Sequence, residues 1–344
     1  MYPYDLNYRM PAEWELHQRT LVSWPVQASM CYPADYDQVC RGYAEIITAI
    51  ADFEPVTVIV NPVDIAMPLH FIKHSNVHYL YLDHNDSWLR DNGPTFVVNT
   101  LGEVAGINWQ FNAWGGKYMP CDLDDDLAPK IIASNGMRCF DAPLVMEGGS
   151  IHVDGEGTML TTEECLLNPN RNPHLTRTQL EDYLGKFLGV KKVIWLKKGL
   201  SGDETDGHVD NIACFAAPGR VILQVCAETC EENYAITQEN MQILSQATDA
   251  CGRKLEITTI KQPPVMTYND KRLTLSYLNF YFVNGGLILP IFGGRAEYSD
   301  FQAVQILSEL YPARRIRVVD GMAIIREGGN VHCMTQQIPV GRIG

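Results

Sequence analysis

Four short polar clusters combine cysteine, histidine, aspartate or glutamate with neighbouring predicted strands. They are W-L-R-D (88–91), E-G-G-S-I-H (147–152), G-D-E-T-D-G-H-V-D (202–210) and G-G-N-V-H-C (328–333). Loops at strand ends are where a rigid scaffold holds catalytic side chains. The residue types therefore predict thiol and acid–base chemistry at one shared site.

Cys333 is the candidate nucleophile. It follows Gly328 and Gly329, which permit close backbone approach, and polar residues come after it. A free thiol has a pKa of about 8.5, so it is only slightly ionised at neutral pH unless a nearby cation lowers that pKa. A lone cysteine is more often a small buried apolar residue, so the functional interpretation depends on partners elsewhere in the chain.

His208 is the candidate general acid and base. In an extended segment, His208 and Asp210 point to the same face. A carboxylate beside an imidazole favours its protonated form, which donation to a leaving amine requires. A polar strand on a solvated sheet is the alternative that spacing alone leaves open.

Paired carboxylates predict a cationic ligand. Asp91 and Asp210 match the planar donors of a guanidinium group, and Trp88 or Trp114 is a candidate to stack on such a cation. Glu147 precedes two glycines, where it either orients the imidazole or acts as a structural turn residue. A surface ion pair between Asp91 and the preceding arginine is the alternative for that carboxylate.

Composition limits the partners. The chain has 41 acidic and 27 basic residues, a formal charge of -14, which argues against nucleic acid. No apolar signal segment opens the chain, and its longest apolar stretch (276–292) is interrupted by asparagine, glycine and proline. Ten cysteines without C-x-x-C spacing predict reduced thiols in the cytoplasm and no zinc site. The acidic run at 122–126 lacks the glycine and distal glutamate of a calcium loop.

Short β-rich runs alternate with amphipathic segments along the chain. The predicted strands are 19–25, 55–60, 94–99, 157–162, 211–217, 220–226, two within 278–290, and 321–329. The predicted helices are 34–52, one opening at Thr178, 231–249, and 300–311 with Asp300 as N-cap.

An internal echo suggests repeated units. Glu147-Gly-Gly-Ser-Ile-His152 and Glu327-Gly-Gly-Asn-Val-His332 share one pattern. Evenly spread strands, with no glycine-rich dinucleotide or phosphate loop, favour a closed ring of β/α units over a doubly wound sheet.

Further motifs occur in order over almost the whole chain. They are R-M-P-A-E-W-E-L-H (9–17), N-D-S-W-L-R-D-N-G-P-T (85–95), F-N-A-W-G-G-K-Y (111–118), M-E-G-G-S-I (146–151), N-R-N-P-H-L (170–175), G-D-E-T-D-G-H-V-D (202–210) and G-G-N-V-H-C-M-T-Q-Q-I-P (328–339). Together they resemble the agmatine deiminase / bacterial peptidylarginine deiminase family of the pentein superfamily.

The resemblance implies a fold and a reaction. The fold would be a single α/β domain over 1–344, a five-bladed propeller of quasi-fivefold ββαβ-type repeats. Cys333 would be the nucleophile, His208 the general acid/base, and Asp91 and Asp210 the guanidinium ligands, with Glu147 supporting His208. No metal or organic cofactor would be needed. Agmatine would be hydrolysed through a covalent thiouronium to N-carbamoylputrescine and ammonia, a step in putrescine and polyamine metabolism.

The residues that would bind the end of the substrate opposite its guanidinium group are less well determined. Val26–Cys31, the segment after Gly116 and Leu273–Tyr277 depart from the family pattern. Agmatine's distal amine needs a carboxylate, for which Glu204 and Asp206 are candidates, whereas arginine's carboxylate needs a cation such as Lys117. The alternatives are an arginine or peptidylarginine deiminase, an amidinotransferase and a non-catalytic binding protein of this fold. A cytoplasmic homo-oligomer acting on a small cationic guanidino substrate, without nucleic acid or membrane partners, is expected.

Overall fold

The computed structural model describes residues 1–27, 29 and 35–343, which form a mixed α/β fold. The strands are β1 (His17–Ser23), β2 (Val56–Val60), β3 (Val77–Tyr81), β4 (Thr95–Val98), β5 (Glu103–Gln110), β6 (Arg138–Val145), β7 (Ile151–Val153), β8 (Thr158–Thr162), β9 (Lys192–Leu196), β10 (Ala213–Ala217), β11 (Arg220–Val225), β12 (Glu256–Lys261), β13 (Thr267–Tyr268), β14 (Lys271–Arg272), β15 (Tyr281–Val283), β16 (Gly286–Ile291), β17 (Arg315–Asp320), β18 (Thr335–Pro339) and β19 (Arg342–Ile343).

Short and long helices connect these strands. The α-helices are α1 (Tyr36–Ala51), α2 (Ala66–Phe71), α3 (Leu89–Asn92), α4 (Ala113–Gly116), α5 (Asp122–Asp125), α6 (Leu127–Ser134), α7 (Glu163–Leu166), α8 (Arg177–Leu188), α9 (Glu232–Gln246), α10 (Glu297–Leu310), α11 (Met322–Ile325) and α12 (Val331–Met334). The 3₁₀ helices are Pro3–Leu6, Pro62–Asp64, Gly148–Ser150, Val209–Asn211 and Gly294–Ala296.

Within the described residues, five sheets share one strand order, an antiparallel pair followed by a parallel strand. These triplets are β18–β1–β2, β4–β5–β6, β7–β8–β9, β10–β11–β12 and β15–β16–β17. Parallel neighbours need a crossover, and in each triplet a helix supplies it: α1, α6, α8, α9 and α10. The first triplet joins the two ends of the chain, because β18 pairs with β1. Strands β3 and β19 extend two of the sheets, and β13 and β14 form a separate hairpin.

Helix α1 has the stripe that the sequence predicts. Its apolar face is buried at every predicted position: Val39, Tyr43, Ile46, Ile47 and Ile50. Asp35 caps the helix by accepting a hydrogen bond from the backbone N–H of Gln38. The prediction began at residue 34, which lies outside the described residues, as do parts of the divergent segment at 26–31.

The predicted strand at 321–329 is wrong. The strand in this region is β17, which ends at Asp320, and α11 with a turn occupies the predicted range. A side chain at Gly321 would lie 2.9 Å from Pro290 Cβ, so the backbone passes close to β16 there. The apolar residues that suggested a strand, Ala323, Ile324 and Ile325, are instead buried on a helix that packs on α1. Tertiary packing has overridden the local β-propensity.

Two predicted helix starts also need correction. Helix α8 is capped two residues before Thr178, by Thr176, which forms a capping box with Gln179. Asp300 lies inside α10, and its carboxylate accepts hydrogen bonds from the backbone N–H of Gly293 and the hydroxyl of Tyr277. In both cases the polar residue that the pattern singled out was close to the helix start without being its cap.

No helix in the described parts of the chain is long and apolar enough to span a bilayer.

Candidate active site

Each of the five triplets contributes a polar side chain from the segment just before its first strand. These side chains are Cys333 before β18, Asp91 before β4, Glu147 before β7, His208 and Asp210 before β10, and Asn279 before β15. All of them are at least 94% buried. Both copies of the sequence echo, 147–152 and 327–332, begin before the first strand of a triplet, but the first copy ends inside β7 and the second ends in α12, before β18. Of these six residues only Asn279 was absent from the sequence prediction.

The backbone of Gly149 is the point where three of these groups meet. A methyl group at that position would lie 2.6 Å from His208 Nδ1, 2.9 Å from Asp91 Oδ1 and 3.0 Å from Asp210 Oδ2. Real Cβ atoms do not approach as closely as the first two distances, so any other residue would displace His208 or Asp91. Gly149, the second glycine after Glu147, is thus required for convergence, which the sequence pattern alone did not explain.

Asp91 is held by two donors in a buried position. The indole N–H of Trp114 donates to Oδ2 and the backbone N–H of Gly149 donates to Oδ1, both at 2.9 Å. Burial, with the charges of Asp210 and Glu147, nevertheless raises the pKa of Asp91 to about 8. Trp114 therefore orients the carboxyl group of Asp91 through its indole N–H.

Asp210 is the ionised member of the carboxylate pair. Its Oδ2 lies 2.9 Å from Nδ1 of His332, whose Nε2 lies 2.8 Å from Glu13 Oε2. Burial opposes ionisation, but the bond and charge of His332 outweigh it and lower the pKa of Asp210. Burial also works against the charged imidazole, yet Glu13 and Asp210 raise the pKa of His332. A chain of alternating charges thus leads from Glu13 to the site.

His208 is neutral in this arrangement, contrary to the expectation of a protonated imidazole. Burial lowers the pKa of His208 to about 3, although Asp210 acts in the opposite direction. Within the described residues neither ring nitrogen has a hydrogen-bond partner. Nδ1 lies 3.8 Å from Asp91 Oδ2, and Nε2 lies 3.9 Å from Glu147 Oε2. The segment is also a 3₁₀ turn, so the predicted extended strand at Asp210 is wrong and His332 takes that carboxylate.

Glu147 belongs to a buried ion-pair network. Arg171 Nε donates to Glu147 Oε1 at 2.6 Å, and its Nη1 donates to Asp206 Oδ2 at 2.8 Å. Asp206 also accepts hydrogen bonds from Lys117 and Asn170. The carboxylate of Asp206 therefore already has three partners. One of them is Arg171, which Asp206 helps to hold against Glu147.

Arg171→Ala is expected to destabilise the fold by about 3–5 kcal/mol, because it leaves a buried carboxylate without its partner. The measurement is urea unfolding of the variant beside wild type. Arg220→Ala is the matched control, since it breaks an exposed pair with Glu256 at 2.9 Å and should cost less than about 1 kcal/mol. Equal losses in the two variants would contradict the structural role given to Arg171.

Cys333 is buried beside Asp210 and Asn279. Its Sγ accepts a hydrogen bond from Asn279 Nδ2 at 3.1 Å and lies 3.6 Å from Asp210 Oδ2. Burial, Asp210 and Asp91 raise the pKa of the Cys333 thiol well above its ordinary value. The thiol is therefore protonated at neutral pH, and a bound cation is needed to compensate the carboxylates before sulfur becomes anionic.

A pocket reaches Cys333 and Asp91 from the surface. Counting its open mouth it has a volume of about 370 Å³, and Trp88, Trp114 and Glu204 also line it. The Trp88 ring packs so closely on Gly329 that a methyl group there would lie 2.5 Å from Cζ3. The aromatic wall and the glycine thus shape the approach to the sulfur.

The outer part of this pocket is acidic. Glu204 is exposed and accepts a hydrogen bond from the hydroxyl of Tyr118. Glu327 is half-buried, and burial raises its pKa to about 7. Two lysines are nearby: the exposed Lys271 has its Nζ 3.6 Å from Glu204 Oε1, and Lys117 donates to the carbonyl of Glu204 and to the carboxylate of Asp206. The positive charge of Lys117 is therefore already compensated.

One group of side chains in the described residues has metal-ligand spacing. The ligand atoms of Glu147, Cys165 and His208 lie within 4.8 Å of one another, all buried. Burial raises the pKa of the Cys165 thiol well above its ordinary value, and Arg171 already holds one oxygen of Glu147. This cluster includes His208, so it is part of the candidate site and not a separate one.

Sequence reasoning missed four residues that the structure places at the site: Glu13, Arg171, Asn279 and His332. Arg171 and Glu13 lie in motifs that were noted, N-R-N-P-H-L and R-M-P-A-E-W-E-L-H, and His332 directly precedes Cys333. A charged residue inside an uninterpreted motif was the available signal. For Asn279 the signal was that it interrupts an apolar stretch, which was interpreted as strand.

A buried thiol, a neutral imidazole and two carboxylates, presented by repeated ββαβ units, define a thiol enzyme of the guanidine-modifying class. The chain belongs to the Porphyromonas-type peptidyl-arginine deiminase family, whose sequence profile matches residues 9–339. It is 40% identical to the agmatine deiminase of Ectopseudomonas mendocina, over 97% of this chain and 96% of that protein.

Solved structures resemble the fold closely. The agmatine deiminase of Enterococcus faecalis has a TM-score of 0.94 and 34% identity, covering 99% of this chain and 98% of its own. A cysteine-to-serine variant of the C. jejuni agmatine deiminase with substrate bound has a TM-score of 0.89 and 29% identity, covering 97% of both chains.

Proposed function

We propose that this protein hydrolyses agmatine to N-carbamoylputrescine and ammonia. The observation that carries the proposal is that Asp91 Oδ1 and Asp210 Oδ2 both lie within 3.0 Å of the Cβ position at Gly149, with Asp210 Oδ2 3.6 Å from the sulfur of Cys333. Two carboxylates bind a guanidinium through its planar donors and so position its carbon for attack. Full-length relatives that bear the name agmatine deiminase support the same substrate.

In the first half of the reaction, sulfur adds to the guanidinium carbon and ammonia leaves. The substrate's charge offsets the two carboxylates that raise the thiol pKa, so the proton of Cys333 becomes easier to remove. His208, neutral at pH 7, carries that proton to the departing nitrogen. The C–S bond forms, the C–N bond breaks, and the product on the enzyme is a positively charged thiouronium.

In the second half, water replaces sulfur. Neutral His208 removes a proton from water and the C–O bond forms. As the C–S bond breaks, sulfur leaves as thiolate and the hydroxyl of the adduct loses its proton to give the ureido carbonyl. One of the two protons from water returns to sulfur and the other passes to solvent. Glu147, 3.9 Å from His208 Nε2, stabilises the imidazolium that forms transiently in each half. Ureido product is released without any metal or organic cofactor in the scheme.

The charge of the pocket mouth favours agmatine over arginine. Glu204 is the exposed carboxylate that we assign to the distal amine. Its ion pair with the exposed Lys271 is 3.6 Å long, whereas Asp206 is held by Lys117, Asn170 and Arg171. The carboxylate of arginine would instead meet Glu204, with Lys117 already paired. Trp88 is the candidate to cover the guanidinium face.

A substrate panel tests the proposal. Ammonia release is measured with agmatine, free arginine and a blocked arginine peptide, each with no added amine acceptor. We expect agmatine to have a kcat/KM at least about 100-fold above the other two. Preference for arginine or the peptide would favour an arginine or peptidylarginine deiminase. Product formed only with an acceptor amine would indicate an amidinotransferase, and no reaction at all a binding protein.

Agmatine binding is expected to release a proton near neutral pH. With a pKa of about 8, Asp91 is mostly protonated at pH 7, whereas the guanidinium stays charged. The cation favours the ionised carboxyl, so affinity should rise about tenfold per pH unit up to pH 7 and level off above pH 8. Calorimetry on Cys333→Ser, in buffers of different ionisation enthalpy, measures both effects without the thiol. Flat affinity from pH 6 to 8 would contradict the protonation of Asp91.

The five ββαβ triplets support a further proposal about architecture. We propose that they are the blades of one five-bladed propeller spanning residues 1–344 as a single domain, with the site where the first strands begin. The nine cysteines in the described residues are free thiols, which fits work in the reducing cytoplasm, where polyamine metabolism would use the product. We also expect a homo-oligomer, which light scattering on the purified protein would test.

A further inference from the structure

Asn279 contacts the reacting sulfur, and the scheme above gives it no task. It lies in the turn before β15, 1% exposed, and its Nδ2 is 3.1 Å from Cys333 Sγ. It is the contribution of the fifth triplet to the site. A neutral amide there neither grips a cation nor moves a proton, so its function must come from its hydrogen bonds.

The orientation of this amide is determined by two backbone donors. Oδ1 accepts hydrogen bonds from the backbone N–H of His332 at 3.0 Å and of Cys333 at 3.4 Å. Backbone N–H groups only donate, so the oxygen must face them and the NH₂ group must face the sulfur. The backbone carbonyl of Asn279 also accepts from the N–H of His332, which ties the two segments together.

The NH₂ group has two hydrogens and three acceptors. Nδ2 lies 3.0 Å from Asn211 Oδ1, 3.1 Å from Cys333 Sγ and 3.3 Å from Asp210 Oδ2. Two of the three acceptors must therefore share one hydrogen. The sulfur and the carboxylate, which carry negative charge during the reaction, are themselves 3.6 Å apart, and Nδ2 is within hydrogen-bonding reach of both.

We propose that Asn279 stabilises the thiolate of Cys333, both when sulfur attacks and when it leaves. The inference rests on the proposed thiol chemistry. As the thiol proton passes through His208 to ammonia, sulfur becomes anionic and its hydrogen bond to Nδ2 becomes charge-assisted and stronger. The same donor shields sulfur from Asp210. When the tetrahedral adduct collapses and the C–S bond breaks, the departing thiolate meets the donor again.

Asn279→Asp tests this role. Aspartate keeps the size and the oxygen that faces the two N–H groups, but it replaces the donor with an oxygen. The rate of Cys333 alkylation by iodoacetamide at pH 8, followed by peptide mass spectrometry without agmatine, reports the thiolate fraction. We expect it to fall at least about tenfold, one pKa unit or more. On agmatine, kcat should fall about 100-fold with KM not increased.

Asn240→Asp is the matched control. Asn240 is fully buried and likewise accepts a backbone N–H bond, from Lys197, but lies in α9 outside the site. It should lose thermal stability while its Cys333 alkylation rate stays within twofold of wild type. Similar slowing in both variants, or an unchanged rate in Asn279→Asp, would overturn the proposal.

A second substitution at Asn279 keeps the role testable if the first variant does not fold. If Asn279→Asp is not recovered as folded protein, Asn279→Ser removes the amide donor without adding charge, and slower alkylation is again expected. An equal or faster rate would overturn the role. Because alkylation uses no substrate, it judges Asn279 even if wild type fails to hydrolyse agmatine, an outcome that would reject the proposed function instead.

Discussion

Cys333→Ser is expected to abolish agmatine turnover, with kcat lowered by about 10⁵-fold. Asp210 and Asp91 already hold the thiol pKa well above its ordinary value, and a hydroxyl is far harder to ionise than a thiol. Even with the cation bound, serine would therefore supply almost no nucleophile. Initial rates of ammonia release at saturating agmatine measure the loss. Calorimetric binding of agmatine should persist, since the carboxylate pair is unchanged.

Cys40→Ser is the control for losing a buried thiol as such. Cys40 lies fully buried in α1 and supplies no group to the proposed scheme. This variant should lose some stability yet retain kcat within a few-fold of wild type. If Cys333→Ser kept more than about one hundredth of wild-type activity, the covalent scheme would be wrong. Mass spectrometry of a quenched wild-type reaction should in addition find an adduct of agmatine less ammonia on the Cys333 peptide.

His208→Gln should lower kcat by about 10²–10⁴-fold, the usual range for removing a general acid–base group. Glutamine fills similar space and offers hydrogen bonds, but it cannot carry a proton from the thiol to ammonia or from water to the product. Because burial lowers the pKa of His208 to about 3, the imidazole of the free enzyme stays neutral from pH 6 to 8. The loss should therefore be constant between pH 6 and 8 when measured against wild type.

His84→Gln is the matched control for this second substitution. His84 is also buried, with Nδ1 3.1 Å from the carbonyl of Leu82 and Nε2 2.8 Å from the carbonyl of Trp24, and it has no place in the scheme. We expect lower thermal stability with kcat nearly unchanged. A His208→Gln enzyme within tenfold of wild type would show that another group, or solvent, moves the proton.

Much of the candidate site was predictable because its chemistry resides in residue types. The sequence predicted a guanidinium site with a nucleophile from three features: a thiol shortly after two glycines, an imidazole two positions from a carboxylate, and a second aspartate three residues after a tryptophan. The elements were predictable where local patterns decide them, as in the apolar stripe of α1 and the strands around 157–162 and 220–226. Where buried apolar residues fitted either element, as at 321–329, the pattern was ambiguous and packing on α1 decided it.

Predicting charge states from residues that are adjacent in the sequence gave the wrong result at His208. Asp210 stands two residues from His208, which predicted a protonated imidazole, but the carboxylate pairs with His332 and burial keeps His208 neutral. Asp206, four residues before Asp210 and chemically identical, is bound instead by Lys117 and Arg171. Sequence spacing cannot distinguish these fates, because each depends on contacts with segments far along the chain.

The sequence by itself determined which reactive groups exist and which ligand they suit. Only the tertiary structure decided which carboxylate is ionised, which is occupied, and that an asparagine in an apolar stretch meets the sulfur. The physical reason is that burial and distance set pKa values and hydrogen bonds, and both arise from five triplets packing segments that are far apart in the chain.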